Sequence, residues 1–197
     1  MTDDQKPFSK RHGYKSAAAP ITVREDAPKG LRHAIISLAE QYIPMAKDIV
    51  GIVRRILGEA RSTDWSPAVI MEDATKLMES CEWFHVYDIA ESIYRYLADA
   101  SSVLDYHKRF EADLNEYFEV HGIGWKMASG KIEIRHPEAL ETVLTSMVEA
   151  IRTSGRMTAA DELHEANLDL SKRPKPDITG AIGHAFGALE ALARAIG

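Results

Sequence analysis

Apolar residues return every three or four positions along most of the chain, which is the period of an amphipathic helix. Leu31, Ile35, Leu38, Ala39 and Tyr42 share one face, and Met45, Ile49, Val53, Ile56 and Leu57 share the next. Pro44 suits the first turn of that second helix and Gly58 stands where a left-handed C-cap belongs, so the two read as a helical hairpin. Ser66 is placed to cap a third helix with Pro67 at its first position and Ile70, Ala74, Leu77 and Met78 inward. Residues 83–97 put Val86, Ile89, Ala90, Ile93, Tyr94 and Leu97 on one side. Residues 103–120 do the same with Leu104, Phe110, Leu114, Tyr117 and Phe118. Five helices are therefore expected over 31–121, the N-terminal helical half.

The period changes at Gly122-Ile123-Gly124. Trp125, Met127, Ile132 and Ile134 alternate with Lys126, Lys131 and Glu133 around Ser129-Gly130, which predicts a two-stranded β-hairpin near 125–134, within a segment 122–136. A lone ribbon is barely stable in water, so it must lie on helices, with Trp125 as its anchor. Helical spacing resumes over 137–197, the C-terminal helical half. Leu140, Val143, Leu144, Met147, Val148 and Ile151 make one helix, and Ala160, Leu163, Ala166, Asn167 and Leu170 make another. After a loop at 172–176, Asp177 is the natural N-cap of a last helix. Its wide apolar face holds Ile178, Ile182, Ala185, Phe186, Leu189, Leu192, Ala193 and Ile196. Gly180, Gly183 and Gly187 would let another backbone come close, so these glycines with Phe186 and Leu189 are candidate interface residues for a second copy or a partner protein. The predicted fold is all-α, a bundle of about eight helices with one small hairpin, behind a basic, partly extended arm over 1–30.

A hydrophobic fraction of 45% beside 27% charged residues belongs to a folded chain rather than a disordered one. Cys81 is the single cysteine, which excludes an internal disulfide and a thiolate zinc site within one chain; its neighbours Leu77, Met78 and Trp83 predict a buried thiol. No run approaches the roughly 18–20 apolar residues of a membrane span, and no apolar signal core follows Met1-Thr2-Asp3-Asp4. A cytoplasmic location with no membrane partner is the expectation.

Charge narrows the partners further. Seven Lys and Arg against four Asp and Glu give residues 1–33 a charge of +3, so the other 164 residues carry −9 of the total −6. Such a body repels a phosphate backbone, and any nucleic-acid contact must be local. Two basic stretches qualify as RNA or partner contacts: Lys10, Arg11 and Lys15, interleaved with Phe8 and Tyr14, and Lys172, Arg173 and Lys175. Neither is a reader of DNA sequence.

Catalytic signatures are missing by type. Leu163-His164-Glu165 begins like a zinc-protease helix, but Leu168 and Asp169 stand where the second histidine belongs. No two histidines lie four apart, no phosphate-cradling glycine loop is present, and no nucleophile elbow occurs, so no metal and no cofactor is expected. Acidic pairs such as Asp88 with Glu91 sit at helical neighbour spacing and read as solvated faces.

Five runs carry a family resemblance. They are FSKRHGYK (8–15), ITVREDAP (21–28), WFHVYDIAESIYRYL (83–97), LNEYFEVHGIGWKMASGKI (114–132) and the stretch 162–194, whose R-P-x-P-D-x-T-G-A-I-x-H-A core starts at Arg173. Together they make the chain similar to the N-terminal helical domain of AbiJ-like abortive-infection proteins. The resemblance implies a role in phage defence, beside a HEPN domain whose active members are metal-independent, dimeric ribonucleases. It also makes 137–197 a candidate start of a HEPN-like region. HEPN nucleases share an R-x(4 to 6)-H motif, and no Arg–His pair in this chain has that spacing. Arg156 and His164 have seven residues between them, and Arg173 and His184 have ten. The resemblance therefore implies that the nuclease half is missing, from a shortened family member or from a fragment, with Arg173 and His184 as the best residual catalytic pair.

Three functions follow as expectations. The leading one is a non-catalytic regulatory or interaction module, acting as a homodimer or with a partner protein through its C-terminal helix. The second is a HEPN-type RNA endonuclease working as a dimer, and the third is an RNA-binding helical module.

Overall fold

Helices form where the periodicity puts them. In the computed structural model, α1 (Lys29–Tyr42), α2 (Ala46–Leu57), α3 (Pro67–Ser80), α4 (Trp83–Ala100) and α5 (Tyr106–Val120) precede a hairpin of β1 (Trp125–Ala128) and β2 (Lys131–Ile134). Three more follow: α6 (Glu138–Thr153), α7 (Met157–Ser171) and α8 (Ile178–Arg194). The structure describes residues 19–60, 66–100, 105–136, 138–172 and 175–194. Among these the fold is mainly α, with one two-stranded antiparallel sheet, as the sequence predicts.

Helix ends follow the sequence with two corrections. Gly58 takes the left-handed C-cap of α2, with φ +71°. Pro44, however, lies before α2, which begins at Ala46 behind an extended Met45. Ser66 occupies the N-cap of α3 with Pro67 behind it, yet its hydroxyl makes no cap bond. The first bond of that helix runs instead from the Ile70 amide to the Ser66 carbonyl, 3.0 Å. Leu104 lies outside the described residues.

One large core fills the N-terminal half. Leu31 and Ile35 of α1, Ile49 of α2, Met78 of α3, Ile89 and Ile93 of α4, and Phe110, Leu114 and Phe118 of α5 are all fully buried. At the 25 cal/mol per Å² typical of apolar burial, each such side chain contributes about 1.5–3 kcal/mol. Cys81 is half-buried beside this core, and burial pushes its thiol above the ordinary value.

The hairpin lies on that bundle. Ser129 and Gly130 both have positive φ, +50° and +80°, the two-residue turn that suits the strands' right-handed twist. Trp125 is buried as the expected anchor, and its indole N–H donates to the Arg24 carbonyl. The outer edge of β1 is met by Asn115, which donates to the Met127 carbonyl and accepts from its amide at 2.8 and 2.7 Å. On β2, Glu91 accepts from the Ile132 amide at 2.8 Å, and Ser171 accepts from the Ile134 amide at 2.8 Å.

The stretch 19–28 runs beside Gly122–Trp125. Thr22 and Val23 amides donate to the Gly122 carbonyl (2.9 and 3.1 Å), and the Gly124 amide donates to the Val23 carbonyl (2.6 Å). A β-carbon on Gly122, where φ is +64°, would stand 2.5 Å from the Pro20 carbonyl oxygen. Two of the motifs that carry the family resemblance are therefore one structural unit.

The C-terminal helices are thinner. α6 and α8 both pack on α7, and α7 also touches β2. Among the described residues, the core they share holds Ile151, Ala159 and Ala160 inside, with Val148, Leu163, Ala191 and Leu192 around it.

Candidate functional site

A polar seam fastens α8 to α7. Gly180, His184 and Gly187 lie three and four residues apart on one face of α8, opposite Glu162 and Asp169, which lie seven apart on α7. His184 Nδ1 is 2.7 Å from Glu162 Oε2, and its Nε2 is 3.7 Å from Oδ2 of buried Asp169. Lys172 Nζ bridges Asp169 (2.7 Å) and Asp177 (3.3 Å). Asp177 caps α8 as the sequence predicts, accepting from the Gly180 amide at 2.8 Å.

Close approach explains two of the glycines. A β-carbon on Gly180 would stand 2.3 Å from Asp169 Oδ2, and one on Gly187 would stand 3.0 Å from Glu162 Oε2. Both face α7 within the chain, whereas Gly183 looks into open space.

The bond to Glu162, helped by the charges of Asp169 and Glu165, holds the His184 imidazole above its ordinary value; some desolvation opposes this. Lys172 is raised by its bonds to Asp169 and Asp177, and Asp177 is lowered mainly by the Gly180 amide. A raised histidine stabilises the fold fully below its unfolded value and loses that contribution as pH rises through the folded value. The difference in melting temperature between the native chain and His184→Gln is therefore expected to shrink from mildly acidic to mildly alkaline buffer, followed by circular dichroism. A constant difference would contradict the linkage.

The opposite face of α8 is bare. Ile178, Ile182, Phe186 and Leu189 are each more than half exposed, and only Ala181 and Ala188 are fully buried. The apolar face read from the sequence is thus split: Ala181 and Ala188 turn inward and Leu192 packs beside the core, while Ile178, Ile182, Phe186 and Leu189 face outward. Val143, Met147 and Met157 are exposed on the neighbouring helices.

A second polar junction joins the hairpin to α7, and the sequence concealed it. Glu133 alternates as a solvated position would, yet it is 2% exposed because α7 covers that face. Asn167 Nδ2 donates to its Oε2 at 2.7 Å, and His164 Nδ1 lies 3.5 Å from its Oε1. His136 Nε2 in turn donates to Asn167 Oδ1 at 2.8 Å. Nearby Arg135 is buried, with its Nε donating to the Ile123 carbonyl at 2.8 Å. Only the packing of α7 on β2 reveals this set.

These positions decide what the expected site residues can do. Arg173, Lys10, Arg11 and Lys15 lie outside the described residues. Lys172 is engaged by two carboxylates, and Lys175 is exposed ahead of α8. Among the described residues His184 faces Glu162 and Asp169, whose negative charges disfavour a phosphate there, and Lys172 offsets part of the charge of Asp169. Among the described residues no group of three His, Cys, Asp or Glu could hold a metal ion, and no helix is long and apolar enough to cross a membrane.

A family model described as AbiJ N-terminal domain 4 matches residues 6–148. Neither the curated proteins nor the solved structures contain a significant match.

Proposed function

The chain belongs to the AbiJ N-terminal domain 4 family, and from that membership we propose that it serves phage defence as a non-catalytic regulatory module that works by binding protein. The observation that supports this reading most is the bare face of α8, four bulky apolar side chains above a core that, among the described residues, holds one isoleucine and two alanines. Soluble surfaces do not usually carry such a stripe unless it meets something. The module acts in the cytoplasm, beside a HEPN-type ribonuclease region that supplies the RNA-cutting groups.

The electrostatics favour this over a nuclease in the chain itself. A histidine that moves the 2′-hydroxyl proton of RNA needs a cation beside it to hold the phosphate. Among the described residues the groups that meet His184 are two carboxylates, and Lys172 is bound to one of them, Asp169. The purified chain in metal-free buffer is expected to leave RNA intact. Cleavage that disappears in His184→Ala would establish the ribonuclease and end the present reading.

A further inference from the structure

We infer that α8 pairs, seam to seam, with α8 of a second copy of this chain, an inference that rests on reading the chain as an interaction module. Ile178, Ile182, Ala185 and Leu189 follow one another at steps of four, three and four residues. That is the heptad spacing by which two helices interlock side chains along a shared line. Ile178, Ile182 and Leu189 are more than half exposed and Ala185 is half-buried, so the line lies along the outer side of α8 and stops short of Leu192, which packs on the core of the C-terminal helices.

Charge indicates which helix fits there. A two-fold interface sets the same patch against itself, so any net charge on it repels its own copy. The chain as a whole carries −6, yet from Ile178 to Leu189 the single titratable side chain is His184, which is turned to Glu162 on α7. Glu190 and Arg194 beyond it neutralise each other at 3.2 Å. This stretch is a place where two copies of an acidic chain can meet without like-charge repulsion. Pairing also sets a second row of large apolar side chains over a C-terminal layer whose described core holds Ile151, Ala159 and Ala160.

Sedimentation velocity of the full chain over a concentration series tests this. The expected result is a species of twice the chain mass. Ile182→Glu and Leu189→Glu should each halve that mass while the far-ultraviolet circular dichroism stays unchanged, since both side chains point outward. Val143→Glu, equally exposed but on α6, should leave the dimer intact. A native chain that stays monomeric throughout overturns the inference, whether or not the seam takes a different helical protein. A dimer that survives both seam variants overturns it too, as does one abolished equally by Val143→Glu. In each of those cases RNA left uncut by the chain keeps the proposed function standing, so the two fail separately.

Discussion

Phe118→Ala is expected to cost about 3–5 kcal/mol of unfolding free energy, the range for deleting a buried phenyl ring from a core that cannot collapse around it. Phe118 is fully buried on α5. Its ring lies 6.2 Å from that of Tyr87, which in turn lies 5.9 Å from Trp125, so the cavity would open where helix, hairpin and the stretch 19–28 converge. The Phe118 carbonyl also accepts the Ile123 amide at 2.9 Å, the first bond of the turn into the hairpin. Urea unfolding followed by tryptophan fluorescence should show a lower midpoint with an unchanged slope. A loss below about 1 kcal/mol would mean that the site relaxes and that Phe118 is no hub.

Gly122→Ala should come second, with a loss of about 2–4 kcal/mol. A left-handed backbone costs a residue with a β-carbon about 1–2 kcal/mol, and hydrogen bonds displaced nearby add about 1 kcal/mol each. The new methyl would collide with the Pro20 carbonyl oxygen and press on Thr22, so the bonds from Thr22 and Val23 to the Gly122 carbonyl should break. Amide exchange at Thr22, Val23 and Gly124 should rise well above that of the α4 core. Gly58→Ala is the matched control. Its φ is +71°, but the space around it is open, so only the backbone cost applies. Equal losses at the two glycines would show that the approach of Pro20 is unimportant.

Helices were legible because their apolar period is a local property. Gly58, Asp177 and Trp125 occupy the roles that their neighbours imply, and Ser129-Gly130 makes the turn that its residue types favour. What escaped was set by partners distant in sequence. Gly122 and Gly124 read as a break between elements, whereas they exist to admit the backbone of residues 20–24. Glu133 has the alternation of a wet position and is covered by a helix that begins more than twenty residues later. For α8 the periodicity found the apolar side chains but not the way the helix would turn. Gly180 and Gly187 go inward, where the carboxylates of α7 stand close, and Ile178, Ile182, Phe186 and Leu189 are left outside.

The side chains of Asn115, Glu91 and Ser171 accept from the outward amides of Met127, Ile132 and Ile134 as a neighbouring strand would. A sheet edge sealed in this way offers no template on which a foreign strand, or an unfolded copy of the chain, could dock and propagate as amyloid does. A foreign strand would have to displace these three side chains before it could add to the folded hairpin.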